Sequence, residues 1–412
     1  MKHSLYFSPE MHESIHPISW ANPQVLEKKV LSRNTQMKIG IPKEHELQEN
    51  RVSLIPEAVG VLINNGHIVM VEHNAGAASQ FPDRAYSEVG AQICYKAEDI
   101  YKDCDVIVKI TPLTMDELAL MKDGKTIISA VHLGSISPIF LKELIRKNIT
   151  AIGFEFVRAE MGNFPLLQMM SEIAGTSSIL IASELLSAKH GGKGLLLGGV
   201  TGVPPAQVTV LGAGNAGTHA TITALGLGAS VKIIDEDLSQ LRKLETMLGR
   251  KVFTAVSQQN YIEDAVVSAD VVIGAIFKPS GRTPVIVTEE MVSKMRPGSV
   301  IVDISIDQGG CFETSSVTNH AKPTFLHHEV IHYCVPNIAS RVPHTASSAI
   351  SNILTPMVLK LGSSGSLNDL YSVDRNIKSG IYVYRRHITQ KALASMFGLD
   401  YMDVDLLFAA QF

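Results

Sequence analysis

Four side chains, far apart in the chain, have the types that handle a small amino or oxo acid: Arg51, Lys109, His132 and Asp307. Two cations suit a substrate carboxylate, an imidazole suits proton transfer near neutral pH, and an acid balances a cationic intermediate. Singly, each has a plain reading. Lys109 fits a snorkelling surface lysine, Arg51 an ion-pair partner, His132 a structural histidine, and Asp307 a support for the turn Gln308-Gly309-Gly310. As a set they share a context. Lys109 follows Val106-Ile107-Val108, His132 follows Ile127–Val131, Asp307 follows Ile301–Ile306, and Arg51 lies beyond Gly40-Ile41-Pro42-Lys43-Glu44. These are strand-like runs, and in open parallel sheets ligands sit beyond the carboxyl ends of the strands.

A second constellation lies between them. Val208-Thr209-Val210-Leu211 feeds Gly212-Ala213-Gly214-Asn215-Ala216-Gly217, a small-residue helical segment follows, and Val231-Lys232-Ile233-Ile234 ends at Asp235. Strand, glycine turn, helix, strand and acid form the pattern of a dinucleotide-binding βαβ unit. Gly212 permits the turn, Gly214 lets backbone approach a pyrophosphate, and Gly217 lets the helix close on the strand. The N–H groups at the helix start, on Asn215 and Ala216, face the phosphates. Asp235 can accept from a ribose 2′-hydroxyl and repels a 2′-phosphate, which favours NAD over NADP.

Composition narrows the classes. The chain has 412 residues, 45% hydrophobic and 18% charged, enough for two or three domains with substantial cores. A net charge of −4 gives no reason to expect nucleic acid. Cys94, Cys104, Cys311 and Cys334 are scattered, so neither a disulfide framework nor a structural zinc site is expected, and a reduced cytoplasmic compartment fits. No apolar run reaches membrane-spanning length. Residues 1–36 read as a leader with His3, His12, His16 and Trp20, without a secretory signal.

The elements that must position the site alternate. Met37–Ile41, Ile68–Val71, Val106–Ile110, Thr126–Ser129 and Ile152–Phe156 read as strands, with helices at Pro56–Asn65, Met115–Met121 and Pro138–Lys147 between them. This order predicts parallel pairing with right-handed crossovers. Met169–Ser187 is apolar or small almost all round and reads as a buried helix. Further strands are expected at Val252–Val256, Val271–Ala275 and Val300–Ile304, then a helix over Thr345–Leu361, kinked near Pro356. Gly362-Ser363-Ser364-Gly365-Ser366 reads as a connector, and Asn368–Phe412 as a tail folding onto the body.

His328-Glu329-Val330-Ile331-His332 matches the zinc-peptidase pattern HExxH, which needs a helix. Tyr333-Cys334-Val335-Pro336 follows, so the segment reads as a strand. Strand positions four apart are separated by about 13 Å, too far to share one zinc.

The ordered motifs resemble the alanine dehydrogenase and pyridine nucleotide transhydrogenase family from Met37 to Leu361. They are Ile39–Glu44, Glu49-Asn50-Arg51-Val52, Val106–Lys109, Val131-His132-Leu133, Met170–Gly175, His190–Gly194, Pro297–Asp303 and Ile306–Gly310. The resemblance implies two doubly wound α/β domains: a Rossmann NAD-binding domain over 169–337 inserted into a discontinuous catalytic domain over 37–168 plus 338–412. It implies reversible NAD-dependent deamination of L-alanine to pyruvate and ammonia in a cleft, commonly by a hexamer, with no membrane or nucleic-acid partner. Arg51 and Lys109 are then expected to hold the substrate, His132 to act as acid/base and Asp307 to support catalysis. Ser171, Asp235, Ser257 and Asn337 are expected to contact NAD. Departures are Ala130 where an aromatic is common, Pro336-Asn337-Ile338-Ala339-Ser340 after the last strand, and Lys360 at an acidic position that some members use for a metal, so no metal is expected. Glycine or another small 2-amino acid is the alternative substrate. A transhydrogenase-like NAD(H)-binding subunit is the alternative role, disfavoured by Gln168–Glu172.

Overall fold

Short β-branched runs alternate with helices through most of the chain, and the computed structural model resolves them into two sheets. It describes residues 36–45, 48–132, 136–159, 162–278, 282–363 and 375–409. The expected leader up to residue 35, Leu133 and the Ser364–Ser366 part of the connector lie outside the described residues.

The first sheet is built from β1 (Lys38–Ile41), β2 (Ile68–Glu72), β3 (Gln92–Cys94), β4 (Val106–Val108), β5 (Thr126–Ser129) and β6 (Thr150–Gly153). The second holds β7 (Gln207–Leu211), β8 (Ser230–Asp235), β9 (Phe253–Val256), β10 (Val271–Gly274), β11 (Val300–Asp303), β12 (Thr324–His327) and β13 (Val330–Tyr333). The chain then returns to the first sheet with β14 (Ile381–Tyr384) and β15 (His387–Ile388). Strand orders are β15-β14-β6-β5-β4-β1-β2-β3 and β12-β13-β11-β10-β7-β8-β9. Pairing is parallel except where β14, β15 and β12 join. The second sheet is thus inserted, in sequence, between two parts of the first.

Helices α1 (Pro56–Asn64), α2 (Asp83–Glu88), α3 (Ala97–Asp103), α4 (Met115–Leu120) and α5 (Pro138–Arg146) connect the early strands. The buried helix α6 (Pro165–Leu185) starts earlier than its apolar pattern suggested, with a proline in its first turn. In the second half come α7 (Asn215–Gly226), α8 (Leu238–Leu248), α9 (Gln259–Ser268), α10 (Glu289–Ser293) and α11 (Pro343–Ser363). α11 runs through Pro356. Apolar clusters cover both faces of each sheet, which is why the parallel strands read as continuous apolar runs.

Two features set the site. Strand order reverses at β1, flanked by β4 and β2, and at β7, flanked by β10 and β8. Such switch points open crevices at the carboxyl ends. The second feature is the seam between α6 and α7. A Cβ on Gly175 would meet the carbonyl oxygen of Ala216 at 2.1 Å, so only glycine lets α6 lie this close to the dinucleotide helix.

Candidate functional site

Arg51 lies beyond β1 in a stretch, Asn50–Ile55, that belongs to no helix or strand. Buried backbone donors need partners, and here serine hydroxyls supply them. Asn50 N donates to Ser340 Oγ, Val52 N to Ser347 Oγ and Ile55 N to Ser351 Oγ, each at 2.9 Å. Ser347 and Ser351 are one turn apart on α11 and so share a face. This serine ladder splints the arginine loop to α11 and to the turn that precedes it. It also explains Ser340, a departure from the family pattern: it is fully buried and serves Asn50.

The Arg51 guanidinium is fixed by Glu49, through Nε at 2.7 Å and Nη2 at 2.6 Å. Nη1 faces Met170 Sδ at 3.2 Å, beside Ser171 on α6. Glu49 was not singled out in the sequence, yet it is a hub. Its carboxylate also accepts from Asn337 Nδ2 at 2.6 Å and lies 3.2 Å from Ser340 Oγ. Burial opposes its charge, but Arg51 wins and the carboxyl pKa falls below the ordinary value.

Asn337 follows β13 in the left-handed conformation, φ 59°. Its N–H donates to Asp307 Oδ1 at 3.0 Å. One residue therefore ties the first-sheet pair Glu49–Arg51 to Asp307 of the second sheet. Asp307 is set by the turn after β11. That turn is pinned by buried Asp303, which accepts from Ser305 N and Cys311 N at 3.0 Å and from Ser315 Oγ at 2.6 Å. Burial pushes the Asp303 pKa up to about 6. Asp307 keeps a solvent-facing surface, yet desolvation by the protein packed around it raises its pKa, partly offset by the Asn337 N–H and Arg51.

His132 sits where β5 has ended and the chain turns left-handed, φ 48°. Non-glycine residues rarely hold this conformation without a compensating partner. The partner is Glu155, beyond β6. It accepts from Val131 N at 2.9 Å and from His132 N at 3.1 Å. His132 keeps a solvent-facing surface, but crowding by the surrounding protein, then the positive charge of Arg51, lowers the imidazole pKa and favours the neutral form.

Lys109 does not join this group. Its side chain is 1% exposed, and its ammonium donates to Glu117 Oε1 at 2.6 Å with Glu44 Oε2 at 3.7 Å. Tyr101 Oη donates to the same Glu117 oxygen. Glu44 in turn accepts from Ile110 N at 2.5 Å, closing the turn after β4. Strand alternation sets this placement, away from the Arg51 group with which a lysine clamp on the substrate was expected. Lys109 shares the face of Ile107, which packs into the cluster of Tyr101 and Leu118 on α3 and α4.

The glycine turn takes the expected form. Gly212 has φ 102°, and a Cβ on Gly217 would stand 1.8 Å from Gly212 O. Around Gly214, which caps α7, there is open space. The amides of Asn215, Ala216 and Gly217 start the helix, where N–H groups lack intrahelical acceptors. Asp235 Oδ2 accepts from Ala213 N at 2.5 Å and Oδ1 from Asp237 N at 2.7 Å, so the acid lies against the turn. Ser257 follows β9 beside it, its N–H bonded to Asp235 O.

The HExxH match is broken by a hairpin. His328 and Glu329 form the two-residue turn between β12 and β13, not a continuous strand. His332 is fully buried, 2.9 Å from Thr314 Oγ1, and burial pushes its pKa down to about 4. Among the described residues no helix is long and apolar enough to cross a membrane.

Two open-sheet halves meeting at their carboxyl ends, one carrying a phosphate-type glycine turn, define a two-part dinucleotide-binding α/β protein. Residues 40–174 match the N-terminal domain of alanine dehydrogenase/PNT and residues 178–391 its C-terminal domain. The chain is 40% identical over 370 residues to alanine dehydrogenase 2 of Staphylococcus aureus (strain USA300), covering 90% of this chain and 99% of that protein. A solved L-alanine dehydrogenase superposes with TM-score 0.83 at 39% identity, covering 88% of this chain and 99% of the other. A transhydrogenase from Sinorhizobium meliloti shares the fold, with TM-score 0.73 at 24% identity, 86% of this chain and 99% of that one. The chain belongs to the alanine dehydrogenase/PNT family.

Proposed function

We propose that this chain catalyses the reversible oxidative deamination of L-alanine: alanine, NAD⁺ and water give pyruvate, ammonium, NADH and a proton. The observation that supports the reading is the link from Arg51 through Glu49 and Asn337 to Asp307, across the carboxyl ends of two sheets, with His132 near enough to feel the charges of Arg51 and Glu49. The names of the 40%-identical relatives support the same reaction.

Gly212, Gly214, Asn215, Ala216 and Gly217 fit a pyrophosphate, and Asp235 with Ser257 fits the adenosine ribose, which favours NAD. Ser171, one residue from the Arg51 contact Met170, and Asn337 fit the nicotinamide end. Bound there, NAD supplies the hydride acceptor, and the protein supplies binding and geometry.

Arg51 anchors the substrate carboxylate. Glu49 occupies one edge of the guanidinium and orients the rest, which reduces the freedom lost on binding. His132, neutral and held by Glu155, takes the proton released at the substrate nitrogen and from the added water, and returns it in the reverse direction. Asp307 carries a carboxylate whose charge the surrounding protein solvates poorly. A cationic amine or iminium opposite it relieves that cost and is favoured in turn. Lys109 acts at a distance, by fixing Glu44 and the turn beyond β4.

The test is a panel of 2-oxo acids with ammonium and NADH, followed by absorbance loss. Pyruvate should give the highest kcat/KM, with NADPH at least tenfold poorer than NADH. A tenfold preference for glyoxylate moves the substrate to glycine. No turnover with any 2-oxo acid refutes the reading.

A further inference from the structure

The hairpin that breaks the HExxH match brings a different set of ligands together. His327 ends β12 and His328 opens the turn. Consecutive strand residues point to opposite faces. Here His328 and Glu329 adopt φ 49° and 57°, the paired left-handed residues of a type I′ turn, a place usually held by Asn-Gly. This conformation swings the second ring beside the first, and the two meet edge-on at 4.6 Å. Both Nε2 atoms lie on the same oxygen of Glu289, at 3.0 and 2.9 Å. Glu289 opens α10, and its N–H is held by Glu313 Oε2 at 2.7 Å. The ligand atoms of the three residues all lie within 4.8 Å of one another. All three side chains are open to solvent, so an ion has a path in.

We propose that Glu289, His327 and His328 form a binding site for a divalent cation of the zinc class, apart from the dinucleotide crevice. The turn stands at the amino end of β13, the opposite end from Asn337. Two imidazoles and one carboxylate select Zn²⁺, Ni²⁺ or Cu²⁺ over Mg²⁺ and Ca²⁺, which prefer oxygen ligands throughout. With ligands about 2.1 Å from zinc, tetrahedral neighbours stand about 3.4 Å apart. The imidazole–carboxylate separations need open by only about half an ångström. Each ring then presents the Nε2 lone pair and carries its N–H at Nδ1, and water fills the remaining position. The ion ties the edge hairpin to the first turn of α10, adding to the bonds that His327 and His328 already make with Glu289.

Equilibrium dialysis of the full-length protein against ZnCl₂, with MgCl₂ in excess, tests the site. The comparison is wild type against His327→Gln, His328→Asn and Glu289→Gln. Asparagine tolerates the left-handed turn, so His328→Asn keeps the hairpin. The wild type should hold one zinc more than each variant, or hold it at least tenfold more tightly. ZnCl₂ should raise the wild-type Tm by several degrees and leave the variants unmoved. Metal-free Tm and pyruvate turnover should match across all four proteins, which separates loss of a ligand from loss of fold. Equal zinc stoichiometry and affinity in all four, with binding at other histidines, overturns the proposal. So does the absence of any wild-type zinc binding below millimolar concentration.

Discussion

Removing one hydroxyl far from the chemistry should weaken substrate binding. Ser347 is fully buried, and its Oγ accepts from Val52 N at 2.9 Å. Val52 is itself buried, with 1% exposure, so water has no easy route to the orphaned donor in Ser347→Ala. Leaving a buried N–H unsatisfied costs about 1–3 kcal/mol. The neighbouring rungs at Asn50 and Ile55 remain, as does the Ser79 Oγ bond to Asn50 O at 2.7 Å. The chain therefore folds, but the loop carrying Arg51 loses its middle support. If the whole penalty appears as looser carboxylate binding, the KM for pyruvate rises about 5-fold to about 150-fold. The KM for NADH should stay within about twofold, because the glycine turn is untouched. Ser348→Ala is the control. That hydroxyl donates back to His344 O within the helix and serves no loop donor, so its effect should be under about 0.5 kcal/mol. Steady-state kinetics with pyruvate and NADH varied separately decide the matter. A Ser347→Ala enzyme with the pyruvate KM of Ser348→Ala, or with both KM values raised alike, refutes the idea that the ladder positions Arg51.

Other outcomes are set by the same geometry. His132→Asn, chosen because asparagine tolerates φ 48°, should lower kcat by about 10²–10⁴ and leave NAD affinity largely intact; an active variant removes the acid/base. Because crowding and Arg51 hold the His132 pKa below 6.5, the base form persists on acidification, and the acid limb of kcat/KM for alanine should lie below pH 6.5. Arg51→Gln removes a cation that lowers this pKa, so NMR titration of the His132 ring should move upward; a downward move contradicts the proximity. Lys109→Met strands Glu44 and Glu117 and should cost about 3–5 kcal/mol in urea unfolding, with the pyruvate KM within about threefold; normal stability with a tenfold higher pyruvate KM would return Lys109 to the substrate. Asp235→Ala should weaken NAD more than NADP in fluorescence titration; equal weakening means that Asp235 acts only through the turn at Ala213.

The fold was legible where burial is continuous. β4, β5, β10 and β11 are apolar runs buried on both faces, and the glycine turn has few sequence solutions. β3 was not legible: three residues at a sheet edge, none fully buried, carry no periodic signal. β14 was invisible for another reason, since it pairs with β6, far earlier in the chain. The candidate site divides in the same way. Arg51, His132 and Asp307 stand at strand ends that apolar runs announce. Glu155 could not be read, because its task depends on the backbone of Val131 and His132 turning toward it. Glu49 had a faint signal in Glu49-Asn50-Arg51, but its bond to Asn337 joins segments that sequence cannot align. The placement of Lys109 was legible in principle, since alternation with Ile107 points it toward α3 and α4.

Asn337 behaves as a rivet. Its peptide group grips one lobe and its carboxamide grips the other, so the jaws cannot part at this point without breaking one of the two fastenings. A replacement of Asn337 is therefore felt on both sides of the cleft, at Glu49 beside Arg51 and at Asp307.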